Sequence, residues 1–204
     1  MIGSWDKREW WLEAMGSLVV NTFFEVRLEQ LIRLAETVEE IFSAAELEYR
    51  LVGGVATYFY VEEASPDAGR LTKDVDVVVR REDLEKISQA AESFGFRYQQ
   101  VAGVDMLVRV SEPSVRRAIH LIFACEKVRP TDPEPVPALR EGRRIRGIRL
   151  IPLEDLIRMK LTSFRAKDAA HIIDLDEAGL ITPEIEAGLS PILRERLAEA
   201  RARG

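Results

Sequence analysis

The sequence predicts an α+β fold: a small mixed β-sheet flanked by helices, with helical segments at both ends of the chain. Three observations predict it. Apolar residues from Phe24 to Phe42 recur at threes and fours, the spacing of one helix face. Short β-branched runs bounded by turn residues, such as Val77-Val78-Val79, fill the middle of the chain, which is the signature of strands. Helical spacing then returns from Leu153 onward. Helices first, strands mixed with helices in the centre and helices last make an α+β arrangement, with expected boundaries at 1–47 for an N-terminal helical segment, 48–152 for the α/β core and 153–204 for a C-terminal helical segment.

The elements follow in order. Residues 5–20 predict a first helix carrying Trp5, Trp10 and Trp11, and 24–46 a second. Residues 50–52 read as a short strand and 55–61 as a helix entered through Gly53-Gly54. Ser65, Pro66, Asp67 and Gly69 mark a loop. A strand at 74–80 precedes an amphipathic helix at 82–94, which Gly95 ends. Further strands are expected at 96–101, 105–110 and 118–124. Four prolines between 130 and 137 make an extended loop there, and 145–150 reads as an edge strand or hairpin arm. Residues 153–164 predict a helix, and 166–178 a second helix or its continuation. Thr182-Pro183 and Ser190-Pro191 each read as an N-cap followed by proline at the first helical position.

Composition narrows the function classes. The chain has 204 residues, 47% hydrophobic and 31% charged, as in an ordinary globular protein. A net charge of −6 argues against a generic nucleic-acid coat, though not against a local basic patch. The single cysteine, Cys125, forbids an intrachain disulfide and a multi-cysteine zinc site, and fits a reducing cytoplasm. No apolar run approaches the roughly 20 residues a membrane span needs, and charges at Asp6, Lys7, Arg8 and Glu9 do not suit a signal peptide. A cytoplasmic protein without a membrane partner is expected.

The most informative stretch is 51–80. Gly53 and Gly54 follow a short apolar strand and open a helix, and a helix N-terminus with exposed N–H groups suits a phosphate. Asp74 and Asp76 then enter a β-branched strand. Side chains two apart on a strand share a face, so Arg70, Thr72, Asp74 and Asp76 line one side and Val75, Val77 and Val79 the other. Two ionised carboxylates that close repel by about 4 kcal/mol at an effective dielectric near 20, and a divalent cation offsets this. Phosphate cradle plus metal-binding carboxylates points to nucleoside triphosphate chemistry.

The order Gly53-Gly54, then Thr72-Lys73-Asp74-Val75-Asp76, resembles the nucleotidyltransferase superfamily that includes DNA polymerase β and the minimal nucleotidyltransferases. The spacing, with Leu153 to Leu161 followed by Arg165-Ala166-Lys167-Asp168, is similar to the branch containing the AbiEii-type toxins. The resemblance covers roughly 48–180. It implies that Asp74 and Asp76 hold Mg²⁺ or Mn²⁺ bound to an NTP. It further implies that Gly53, Gly54, Thr72, Lys160, Arg165 and Lys167 serve the nucleotide, and that a nucleoside monophosphate passes to an acceptor hydroxyl on RNA, protein or a small molecule. The family usually carries a third carboxylate on a neighbouring strand. Here the middle of that strand holds His120. Asp105 lies on a different expected strand, and Glu126 follows the His120 strand.

Several residues keep two readings. His120 is a metal ligand or base, or a hydrogen-bonded sheet histidine. Its neighbours Ile119, Leu121 and Phe123 form the opposite face, which turns His120 toward the aspartates. Lys160 and Lys167 are phosphate contacts or a solvated basic face. On one continuous helix they share a face with His171 and Asp174; if the chain breaks near Phe164, Asp168 caps the second helix. Arg140, Arg143, Arg144, Arg146 and Arg149 are an RNA contact or a charged edge that blocks strand pairing. The tryptophans read as packing anchors. At the level of the whole chain the alternatives are an enzyme, or a catalytically degenerate nucleotide-binding or interaction module, including a toxin–antitoxin component.

Overall fold

A computed structural model describes residues 7–66, 74–111, 113 and 118–203, with side chains from residue 26 onward. Trp5, Arg70, Thr72 and Lys73 lie outside the described residues. The two helices expected before residue 47 are one, α1 (Lys7–Ala44). The span holds no proline, and its single glycine, Gly16, costs only about 1 kcal/mol relative to alanine, too little by itself to end the helix. Leu31, Ala35, Val38, Ile41 and Phe42 are its buried stripe.

Strand β1 (Arg50–Val52) leads directly into α2 (Gly53–Ala64). The glycines expected ahead of the helix are its first turn, and the helix runs past both expected ends. Then follow β2 (Val75–Val79), a 3₁₀ turn at Arg81–Asp83 and α3 (Leu84–Ser93). The antiparallel pair β3 (Phe96–Val101) and β4 (Val104–Arg109) comes next, and then β5 (Ile119–Phe123). These strands form one mixed sheet in the order β1-β2-β5-β4-β3. Only β2 and β5 are parallel; β1–β2, β5–β4 and β4–β3 are antiparallel.

Register decides what each face carries. Val75, Val77 and Val79 stand opposite Ile119, Leu121 and Phe123, and all six are buried. One residue out of phase, Asp76 stands opposite His120, and His120 opposite Met106. One face is therefore apolar core, and the other sets the polar pair Asp76 and His120 among Val78, Ile122 and Met106.

The arginine-rich segment folds as a two-stranded hairpin, β6 (Arg144–Ile145) and β7 (Ile148–Arg149). A parallel bridge from Leu150 to Leu51 ties its end to β1. Four of the five arginines are committed within the chain. Arg140 pairs with Glu154 and Asp155, Arg143 with Glu63, and Arg144 and Arg149 with Glu39. Glu39 also accepts from Tyr49 Oη at 2.6 Å. Burial alone would raise the Glu39 pKa, but the hydrogen bonds from Tyr49, Ser43 and Arg149 outweigh it and hold the carboxyl below the usual range.

The C-terminal part is α4 (Leu153–Ser163), α5 (Ala166–Glu177), α6 (Pro183–Ala187) and α7 (Pro191–Arg201). It packs onto the sheet through α2. Thr182 caps α6 as expected, accepting from the Ile185 N–H. Ser190 precedes α7 but its hydroxyl donates to Glu134 at 2.5 Å instead. A tertiary acceptor there outcompetes the local cap.

Candidate functional site

A cleft of about 410 Å³ is lined by Gly53, Asp74, Asp76, His120, Lys160, Arg165 and Lys167, among others. Every described residue that the sequence analysis singled out for the site lines it, except Gly54, which is buried in the first turn of α2.

The floor comes from β2 and β5. The parallel register places Asp76 beside His120, and Nδ1 of the imidazole lies 3.0 Å from Asp76 Oδ1. An ionised carboxylate only accepts, so Nδ1–H donates. That hydrogen bond raises the His120 pKa above its usual value, against the opposing effect of burial. The charges of Asp74 and Lys167 also reach His120, in opposite directions. Imidazole, both carboxylates and the α5 lysine thus share one electrostatic neighbourhood.

Gly53 is required by the carboxylate of Asp76. Its φ is +70°, and a Cβ on it would stand 2.1 Å from Asp76 Oδ2. Any side chain here would expel the carboxylate from the N-terminal end of α2, where the helix dipole favours negative charge. The glycine thus admits a side chain of the chain itself to the helix end.

The wall comes from α4 and α5. The helix breaks at Phe164, which adopts a left-handed conformation (φ 41°, ψ 39°). Asp168 then takes the third position of α5 and accepts from the Arg165 backbone N–H at 3.3 Å. The same carboxylate accepts from Ser163 Oγ at 2.6 Å, Arg165 Nε at 2.7 Å and Lys160 Nζ at 3.2 Å. Burial works to raise the Asp168 pKa, but these donors and the Lys160 and Arg165 charges outweigh it and hold the carboxyl well below the usual range. Burial pushes the Lys160 ammonium down, and Asp168 works against that. Lys160 Nζ also lies 3.0 Å from His171 Nδ1. Lys160 is thus 5% exposed and structurally committed, whereas Lys167 is exposed.

Two further acids, Asp105 and Glu126, line the cleft but are already engaged within the fold. Asp105 is paired with Leu121, out of phase with His120, and its carboxylate accepts from Tyr98 Oη at 2.5 Å and Gln100 at 3.2 Å. Glu126 forms a two-pronged pair with Arg81, both contacts at 2.6 Å. The proline-rich loop closes another side of the cleft. Cys125 N–H donates to Val136 O and Val136 N–H to Glu126 O, so the segment between is a strap pinched at its base. Sequence reasoning missed this strap and the Asp168 hub with Ser163. The Arg165-to-Asp168 spacing was the available signal for the hub. For the strap there was only the proline density.

Two carboxylates and one imidazole can serve a divalent ion. Among the described residues no cluster of three or more His, Cys, Asp or Glu side chains is placed to hold a metal by itself. Mg²⁺ does not need one, because it is commonly held by one or two carboxylates together with substrate phosphates. Asp74 and Asp76 fit that pattern.

No family model matches the sequence, and no curated protein sequence does. Solved structures do. An antigenic nucleotidyltransferase-like protein from Paracoccidioides brasiliensis is 18% identical, with a TM-score of 0.55 over 86% of this chain and 88% of its own. The Megavirus polyadenylate synthase is 11% identical, with a TM-score of 0.51 over 89% of this chain and 40% of its own. The antibiotic-resistance factor ANT(2″)-Ia is 15% identical, with a TM-score of 0.49 over 88% of this chain and 93% of its own. The first two likenesses show the fold, which is that of the nucleotidyltransferases.

Two outcomes follow from the geometry. Gly53→Ala should destabilise the protein by at least about 1–2 kcal/mol, the cost of a left-handed conformation for a residue with a Cβ, as read by urea unfolding; a variant as stable as the parent would overturn the role given to Gly53. Asp168→Asn leaves the Lys160 ammonium buried without its counter-charge and should cost about 3–5 kcal/mol. The Asp168 pKa is lowered on folding, so its contribution is present above the unfolded value near 3.9 and is lost as pH falls below it. Stability measured from pH 6 to pH 2 should therefore fall less steeply in Asp168→Asn than in the parent.

Proposed function

We propose that the chain is a metal-dependent nucleotidyltransferase. It would move a nucleoside monophosphate from an NTP to an acceptor hydroxyl. The observation that carries this reading is the convergence, in one cleft, of the Asp74 and Asp76 carboxylates with the cations at the start of α5.

Asp74 and Asp76 hold the Mg²⁺ or Mn²⁺ that accompanies the triphosphate. The cation, when bound, withdraws charge from the phosphates and aligns the reacting oxygens. Lys167, exposed and electrostatically linked to His120, meets the phosphates directly. Arg165 divides its guanidinium between Asp168 and the cleft, where it feels the charges of Asp76 and Asp132. Lys160 acts from behind: it fixes Asp168, which fixes Arg165. In the reaction the acceptor oxygen bonds to the α-phosphorus, the bond from that phosphorus to the pyrophosphate oxygen breaks, and the hydroxyl proton is lost to solvent. The Arg165-Ala166-Lys167-Asp168 group supports the AbiEii-type branch of the superfamily, and the single cysteine supports a cytoplasmic setting.

One observation favours a second reading, a nucleotide-binding module without transfer. His120 engages an oxygen of Asp76 and adds no negative charge. The two readings separate on a simple measurement. With α-labelled NTPs, Mg²⁺ or Mn²⁺ and total RNA, label transfer with pyrophosphate release supports the enzyme; binding without either supports the module.

Asp74→Asn with Asp76→Asn should abolish metal-dependent nucleotide binding in calorimetry while the unfolding transition stays cooperative. Unchanged affinity would remove both aspartates from the site. His120→Asp adds a carboxylate beside Asp76 and should strengthen Mg²⁺ binding roughly tenfold, about 1.4 kcal/mol. Unchanged metal affinity would leave His120 as a hydrogen-bonded sheet residue.

A further inference from the structure

The charges lining the cleft divide sharply by whether the fold already uses them. Glu126 is held by Arg81, Glu134 accepts from Ser190, and Asp132 accepts the Arg129 backbone N–H at 2.9 Å. Asp168 is saturated by Lys160, Ser163 and Arg165. Among the described residues, three cleft-lining cations make no side-chain hydrogen bond or ion pair with any other. They are Lys167 on α5, and Lys127 and Arg129 on the strap.

The strap pair stands on a different element from the α5 cation. Between its two members lies Val128, 64% exposed, and Val104 at the start of β4 is 45% exposed in the same cleft lining. Two exposed apolar side chains and two cations without side-chain partners among the described residues thus share the cleft lining with acids that are already hydrogen-bonded within the fold. The strap that carries them is stiffened by Pro130, Pro133 and Pro135 and fixed at both ends. Arg81 grips Glu126 and stacks over Phe123 at 3.6 Å, and Glu134 is tied to Ser190. A surface held in this way loses little freedom on binding.

A transfer reaction needs a second substrate, and one triphosphate is already met by Lys167 and Arg165. We infer that the acceptor is the end of a single-stranded polynucleotide, with phosphates on Lys127 and Arg129 and the terminal nucleoside against Val104 and Val128. This rests on the nucleotidyltransferase reading of the cleft. A cationic acceptor would be repelled by the same two side chains, and an uncharged one would leave them without a role. A polynucleotide offers anionic and apolar surfaces in alternation, matching Lys127-Val128-Arg129. Its terminal hydroxyl oxygen makes the bond to the α-phosphorus as pyrophosphate leaves and the hydroxyl proton passes to solvent.

The test uses the full chain and a 5′-fluorescein 12-mer oligoribonucleotide of mixed sequence, read by anisotropy between 50 and 200 mM salt. The Lys127→Glu/Arg129→Glu variant should bind roughly tenfold or more weakly. The slope of log affinity on log salt should flatten by about 1.4, since each phosphate contact on a single strand contributes about 0.7. Calorimetry with Mg²⁺ and a non-hydrolysable ATP analogue should give the same affinity for both proteins, which shows that the variant's cleft is intact. Equal oligonucleotide affinity in parent and variant overturns the inference. So does a parent that binds a glutamate-rich peptide more tightly than the oligonucleotide, which would mark a protein acceptor. A parent that binds the nucleotide analogue but not the 12-mer overturns only the acceptor assignment. A parent that binds no nucleotide overturns the transferase reading itself.

Discussion

The parallel pairing of β2 with β5 is the constraint on which the rest of the molecule depends. The side-chain period of a strand is two, so a single register sets both faces at once. The register that buries Val75, Val77 and Val79 against Ile119, Leu121 and Phe123 also sets Asp76 beside His120. Sliding β2 by one residue would bring Asp76 into the core and its valines into the cleft. Burial of one large aliphatic side chain contributes about 1.5–3 kcal/mol. Six such residues outweigh the repulsion between the two carboxylates and hold the polar pair in place. The site is thus positioned by its apolar reverse side.

The second fixed point is the Asp168 carboxylate. It gathers an ammonium, a guanidinium, a hydroxyl and a backbone N–H at the break between α4 and α5. A buried charge is tolerated only where it is paired and hydrogen-bonded, and here each of its donors also does something else. Lys160 connects to His171, Arg165 reaches into the cleft, and Ser163 closes α4. The left-handed Phe164 turns the chain so that these donors converge.

Free and committed charge are distributed unevenly. The densest arginine run folds into a hairpin whose cations reach Glu39, Glu63, Glu154 and Asp155. They bind the hairpin to α1, α2 and α4, and so serve the fold. The less conspicuous Lys127, Arg129 and Lys167 line the cleft with no such partners among the described residues. Density of charge in sequence is a poor guide to binding, because what matters is which charges the fold leaves uncompensated.

Periodicity and turn chemistry are local, and the sequence by itself determined what rests on them. These are the α+β class, the strands at 96–101 and 50–52, the Thr182 cap, and the shared face of Asp74 and Asp76. Register, partnership and burial rest on contacts between residues far apart in the chain, and only the tertiary structure decided them. It merged two expected helices into α1, because no local signal there was strong enough to stop a helix that gains by packing. It set Gly53 against Asp76, 23 positions later, and Lys160 against Asp168. It drew Ser190 from its cap to Glu134. It also separated cations held in ion pairs from cations left open to a ligand. Each of these outcomes is a competition between a local preference worth about 1 kcal/mol and tertiary burial or hydrogen bonding of equal or greater size, and such a competition cannot be resolved until both competitors are in place.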